Sequence, residues 1–398
     1  MTERSGVMIV GASLAGLTTA EGLRAEGYAG SITLVGEEDH PPYSRPPLSK
    51  QVLSGRWTAA QAMLRDGAQL AALDLRLVKG RATAADLTAR TVTVEGDTLA
   101  YERLVVATGV RARRLPGAEG VAGVHTLRTL DDAIGLRDDL PAAGPVVVVG
   151  AGVLGCEVAA SARAAGHDVT ILGRSTEPRF GQTATPLSPM IAALLLEHGI
   201  RLRMGVDVTD VVGRSRVAAL RLSDGSIVPA DVVVAAIGCV PSVDWLSGTG
   251  IDLTDGVLCD AGGVAAPGVY AVGDVARWLD PATGESHRVE HQATAIEQAH
   301  AVARLIVTGE VGAPIVPFFW SELFGNRILV HGRLDPGAPL TILAGDPADR
   351  RFVAATIRDG QATGLIGWNM PREFRQERAR MLERSTESTT LLRGTPVS

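Results

Sequence analysis

The apolar positions of this chain fall in short unbroken runs rather than in strict alternation. "VMIV" at 7–10, "ITLV" at 32–35, "VVVV" at 146–149 and "VTIL" at 169–172 are all of this kind. A strand buried on both faces reads this way, because a parallel sheet covered by helices leaves neither face to water. Between the first two runs, Ala15, Leu17, Ala20 and Leu23 recur at roughly helical spacing. The pattern predicts strand, tight turn, helix and strand over 6–38, and the same order again over 146–175. Three further runs, in 101–117, 230–242 and 268–278, each predict a buried strand running into a small-residue turn.

The turns carry the candidate chemistry. Gly11-Ala12-Ser13-Leu14-Ala15-Gly16 is a G-x-S-x-x-G variant of the dinucleotide fingerprint. Gly11 permits the sharp turn, Ser13 and Ala15 are small enough for close approach, and Gly16 lets helix and strand pack. The helix N-terminus then faces a pyrophosphate. Glu37, at the end of the second strand, is placed to accept hydrogen bonds from an adenosine ribose. The second copy holds a full G-x-G-x-x-G at Gly150, Gly152 and Gly155. Two such units in one chain are an internal duplication and predict two bound dinucleotides. Aligned strand to strand, "ITLVGEE" matches "VTILGRS", which sets Arg174 opposite Glu37. An arginine there suits a 2′-phosphate, with Ser175 adding a hydrogen bond and Arg179 a second charge if the loop folds back. The turns at Ala107-Thr108-Gly109, Gly238 and Gly273-Asp274 complete the set. A carboxylate at Asp274 can hold a ribityl hydroxyl or a water bound to a pyrophosphate.

Composition narrows the classes. A chain of 398 residues allows two or three domains with well-buried cores. A net charge of −6 argues against wholesale nucleic-acid binding. No apolar run is long enough to span a bilayer. Arg4 followed by "VMIVGASLAGLTTA" resembles a signal peptide, but strand, turn and helix account for the same residues. Three cysteines without paired spacing, Cys156, Cys239 and Cys259, point to a reducing cytoplasm and to no metal site. Cys156 is expected to serve packing, and the histidines, including His287, His291 and His300, show no ligand spacing.

The order of these motifs resembles the two-dinucleotide-binding flavoproteins of the glutathione-reductase superfamily. Within it, "PYSRPPLSK", "GAGVLGCEVAA", "GVYAVGDVA", "HRVEH" and "FFWSELFG" are similar to the ferredoxin reductases of bacterial oxygenase systems. The resemblance implies an α/β fold with two Rossmann-like dinucleotide-binding domains and a smaller C-terminal α/β domain. The FAD domain is expected over 1–113 and 244–318, the NAD(P) domain over 114–243, and the C-terminal domain over 319–398. Disulfide reductases, peroxidases and oxidases of the superfamily carry cysteine on the segment after the second strand. Here that segment, 39–55, has none. Electrons delivered to this flavin therefore leave singly to an external carrier, or are lost to dioxygen.

The resemblance also implies roles. Lys50 matches the family lysine near flavin N5, and Glu157 the acid that pairs with it, so both are the expected catalytic residues. Arg45 is expected at the FAD phosphates or the adenine side. The segment 289–306 predicts a helix with Ala293, Ile296, Ala299 and Ala303 on one face, opening at Glu290, His291 and Gln292 beside the flavin. Trp320 is expected next to the isoalloxazine. The expected reaction takes a hydride from NAD(P)H, with NADPH favoured by Arg174, onto FAD. Single electrons then pass to an acidic, transiently bound ferredoxin-type iron–sulfur protein that feeds an oxygenase. No nucleic acid, membrane or metal is expected, and the chain is read as a monomer or dimer. Two other readings stay open: an NAD(P)H oxidase or quinone reductase, and a non-catalytic FAD- and NAD(P)H-binding redox sensor.

Overall fold

The computed structural model describes residues 5–140, 144–180, 186–358 and 360–392, with the backbone alone at Ser5 and over 384–392. Contacts group the chain into two units. One holds the described part of Met1–Arg113 with Thr126–Arg137 and Gly238–Ile315; the other holds Arg114–His125, the described part of Asp138–Ile237, and that of Val316–Ser398.

The first unit is built on a sheet whose parallel core runs Val269–Ala271, Asp97–Val106, Ser5–Val10, Ile32–Gly36 and Leu75–Lys79. The unbroken runs pair in register, Val7 with Ile32 and Val10 with Val35. Helix Leu14–Ala25 covers the sheet with Ala15, Leu17, Ala20 and Leu23 buried, as their spacing predicted. Helix Gln292–Thr308 packs beside it, ended by Gly309 in the left-handed conformation. Its buried stripe is Ala295, Gln298, Ala299, Val302, Ala303 and Ile306, while Ala293 and Ile296 are only half-buried. The predicted face was therefore rotated. Gln298 accounts for part of this: it turns inward because its side-chain oxygen accepts the Gly273 amide at 2.9 Å.

The second unit repeats the grammar. Arg201–Met204, Asp168–Gly173, Pro145–Val149, Val232–Ala235 and Val124–His125 form an all-parallel sheet, with helix Val153–Ala164 following the second glycine turn. Residues 318–368 add an antiparallel sheet in the order Phe318–Leu323, Asn326–Gly332, Gln361–Trp368, Arg351–Arg358, Leu340–Asp346. The C-terminal helix Pro371–Leu392 closes one face by burying Phe374 against Leu329, Val353 and Leu365.

Candidate functional site

The two glycine turns have the same construction. Gly11 has φ +118° and Gly150 φ +114°, where an L side chain is strained. A Cβ on Gly11 would lie 2.1 Å from the Ala107 carbonyl oxygen, and one on Gly150 2.1 Å from that of Ala236. A Cβ on Gly16 or Gly155 would meet the carbonyl oxygen of its own first glycine at 1.9 or 2.0 Å. Gly11 donates to Val35 and Gly150 to Leu172, both at 2.8 Å. At the middle position the demand relaxes. A Cβ on Gly152 meets no protein atom within 4 Å, and Ser13 and Gly152 both take extended helix-capping conformations. Serine fits where the fingerprint has glycine because the protein leaves that space open. Its hydroxyl makes no cap bond, so the helix N-terminus keeps its amides for an anion.

Residues far apart in sequence converge on the first turn. Ala107-Thr108-Gly109 abuts Gly11, with the Thr108 hydroxyl donating to the Ser242 carbonyl at 2.8 Å. Gly273 comes so close to the first turn of helix Leu14–Ala25 that a Cβ there would be 2.9 Å from Ala15 Cβ. Beside it, Asp274 accepts from Arg128 Nη2 at 3.0 Å. That arginine was not singled out from the sequence. It stands in "TLRTLDD", whose visible signal is a helix start: Thr129 and Asp132 form a reciprocal cap at 3.1 Å. Its Nη2 lies 3.2 Å from where a Cβ on Gly109 would be, and its Nε is buried without a protein partner. An unsatisfied buried guanidinium N–H beside Asp274 and the Gly109 turn suits a phosphate oxygen.

Glu37 follows the strand end, exposed and paired with Arg81 Nε at 2.7 Å. Arg45 is spent on the protein: it bonds Glu38 at 2.7 Å, the Tyr43 hydroxyl at 3.2 Å and the Arg128 carbonyl. The Pro-rich segment is not a plain loop. Leu48–Val52 forms a single π-helical turn, and this turn buries Lys50 to 6% exposure, its Nζ donating to Ser49 Oγ at 3.4 Å. His291 caps helix Gln292–Thr308, and burial holds its imidazole below the usual range. Gln292 lies 3.5 Å from the Ser44 hydroxyl. Gly238 is exposed with φ +91°, and Glu290 accepts from Arg288 at 2.6 Å and from the Cys239 thiol at 2.9 Å.

In the second unit, Glu157 is buried to 6% and accepts from the Ser321 hydroxyl at 2.8 Å. Trp320, the neighbouring residue, is 36% exposed, which excludes a purely core role. Arg174 follows Gly173 as Glu37 follows Gly36; its side chain is 80% exposed and 4.0 Å from Asp207. Ser175 is engaged by the Glu177 carbonyl at 2.6 Å. The Arg179 amide donates to Ala151 at 2.8 Å, so this loop does fold back over the second fingerprint.

No thiol in the chain is poised for exchange. Burial, reinforced by Glu157, pushes Cys156 up to about 12. Burial also pushes Cys239, with Glu290 adding to it, and Cys259 up to about 12. A thiol reacts as thiolate, and these stay protonated. Among the described residues no group of histidine, cysteine and acids is arranged to hold a metal, and no helix is long and apolar enough to cross a membrane.

Residues 5–299 match the family described as pyridine nucleotide-disulphide oxidoreductase, and residues 318–393 match the reductase C-terminal family. The biphenyl dioxygenase system ferredoxin–NAD(+) reductase component of Paraburkholderia xenovorans is 36% identical, over 92% of this chain and 91% of its own. Putidaredoxin reductase of Pseudomonas putida is 34% identical over 98% and 95%. Among solved structures, the covalent putidaredoxin reductase–putidaredoxin complex superposes with a TM-score of 0.90 at 33% identity, covering 96% of this chain and 93% of that one.

Proposed function

The chain belongs to the pyridine nucleotide-disulphide oxidoreductase family, and we infer that its two glycine turns hold FAD and NAD(P)H in the service of a ferredoxin-type iron–sulfur protein. Its relatives are named as ferredoxin reductases of dioxygenase systems and as putidaredoxin reductase. One observation carries the reading: a duplicated dinucleotide turn in a chain whose three thiols are all held protonated. When bound, FAD accepts two electrons from a nicotinamide and releases them one at a time. The protein's part is placement. The amides opening helix Leu14–Ala25 and the Arg128 guanidinium would hold the FAD pyrophosphate, and Glu37 its ribose. Asp274 fixes Arg128 and would hold a ribityl hydroxyl or a water bound to the pyrophosphate. Lys50, buried on its π turn, would supply positive charge to stabilise the flavin's reduced state. Glu157, at the second turn, is the second residue assigned to the chemistry. The division into FAD, NAD(P) and C-terminal domains at 113/114, 243/244 and 318/319 belongs to the same proposal, as does a cytoplasmic location.

The test is direct. The purified protein is expected to be yellow with one non-covalent FAD, and to reduce cytochrome c slowly alone but many times faster with an added ferredoxin. A colourless folded protein that takes up no FAD ends the reading. Equal turnover with and without the carrier favours an oxidase or quinone reductase instead.

For the nicotinamide, the relatives' names point to NADH, whereas Arg174 points to NADPH. The guanidinium is exposed and only loosely associated with Asp207, and it occupies the strand-end position where an acid would accept a ribose 2′-hydroxyl. We place the preference with NADPH. The ratio of kcat/KM for the two nicotinamides is expected to favour NADPH and to move toward NADH in Arg174→Glu. A wild-type preference for NADH, or a ratio that the substitution leaves unchanged, overturns it.

A further inference from the structure

We propose that Tyr43, with Arg45 and Glu38, is a positioning hub that aims the Arg128 guanidinium at bound FAD, and so controls how long the cofactor stays. The proposal rests on the FAD reading above and assigns these residues a role through their bonds to the segment bearing Arg128.

Arg128 is held by side chains at both of its peptide groups. Its amide donates to Asp132 Oδ2 at 2.7 Å, and its carbonyl accepts from Arg45 Nη1. No strand ladder fixes it. Arg45 is in turn fixed by Glu38 Oε1 at 2.7 Å and by the Tyr43 hydroxyl at 3.2 Å. The same hydroxyl donates to Glu38 Oε2 and accepts the Leu130 amide at 3.0 Å, two residues beyond Arg128. One phenol oxygen, on a side chain 3% exposed, thereby joins the end of the second strand, the Pro-rich segment and the segment bearing Arg128. Burial holds the phenol well above its usual range, so it stays a neutral donor.

This hub also explains an odd feature of the chain path. Thr126–Arg137 belongs to the first unit although the sequence on both sides of it belongs to the second. Tyr43, Arg45 and Asp274 bind this segment, and His40 adds a bond to Asp131 at 2.8 Å. The segment's return brings Arg128 to Asp274, whose neighbour Gly273 packs on the first turn of helix Leu14–Ala25. A buried network acts as a unit, so loosening its centre is felt at the residue it supports.

The experiment measures FAD release from the holoprotein by the rise of flavin fluorescence, in Tyr43→Phe, Arg128→Ala and the double variant. Glu38→Gln serves as a second arm that loosens the hub from its other side. Tyr43→Phe and Glu38→Gln are each expected to speed release on the order of tenfold, the scale of one charge-assisted hydrogen bond. In the Arg128→Ala background the same substitutions are expected to change release by less than about twofold, because residues acting through one another are not additive. A merely structural role predicts the same fold-change in both backgrounds. An unchanged release rate in the single variants, or a fold-change that persists without Arg128, overturns the hub. A wild-type protein that binds no FAD overturns the reading beneath it instead.

Discussion

At the scale of single residues, the positions legible in the sequence were those where the backbone leaves no choice. Gly11, Gly16, Gly150 and Gly155 are forced, since a Cβ at each would meet a carbonyl oxygen at about 2 Å. Glu37 and Arg174 stand exposed just past Gly36 and Gly173, the strand-end offset by which the sequence singled them out. Arg128 was not, because its partner Asp274 lies 146 residues away and its surroundings spell only a helix cap. Lys50 was chosen by resemblance, and the structure adds a reason: a surface lysine would not be 6% exposed on a π turn, an element often found at functional sites. Lys50→Ala is expected to leave FAD bound but to slow its reduction by NAD(P)H, by roughly the 2–4 kcal/mol that a lost charge-stabilising contact costs. Stopped-flow bleaching of the flavin band reads this. Unchanged rates with both nicotinamides would reduce Lys50 to a packing residue.

At the scale of elements, unbroken β-branched runs announced the parallel strands because both of their faces are covered. The C-terminal sheet was legible only as an aromatic-rich start, since antiparallel pairing depends on turns and partners that local pattern does not state. Its core holds a surprise. His331 is 1% exposed on strand Asn326–Gly332, with neither ring nitrogen bonded, between Phe318 and Leu365 on the flanking strands. Burial, with Arg378 of the C-terminal helix as the lesser cause, pushes its pKa down to about 4. The ordinary value is about 6.5. Between pH 6.5 and 4 the unfolded chain binds the proton and the folded one does not, so stability falls as pH falls through that window. The sheet is expected to lose on the order of 1–3 kcal/mol across it. Urea denaturation followed by tryptophan fluorescence at pH 7 and pH 4.5 checks this, with His331→Leu as comparison. The leucine variant should lose less between the two pH values than wild type; equal losses would show that other groups carry the acid sensitivity.

At the scale of the whole molecule, the net charge of −6 would repel an electron carrier of the same sign at long range. For such a carrier, a local basic surface would bring it to a productive face. The helix Pro371–Leu392 supplies one candidate, with five arginines against three glutamates over 371–384. The structure sorts them. Arg378 is half-buried with its guanidinium 5.2 Å from the Phe318 ring centre, a packing role. Arg380 is exposed but engaged by Glu377 at 2.5 Å. Among the described side chains of this helix, Arg372 and Arg375 are exposed, so they are the charges open to a partner. Steering of this kind acts on association and is screened within about 10 Å at 0.1 M salt. Reversing both, Arg372→Glu with Arg375→Glu, is expected to slow ferredoxin reduction about tenfold at low ionic strength and to flatten its salt dependence. Flavin reduction by the nicotinamide should not change, because that step involves no carrier. A double variant that keeps the wild-type rate and salt profile with ferredoxin would mean that this helix is a solvated surface and that the carrier docks elsewhere.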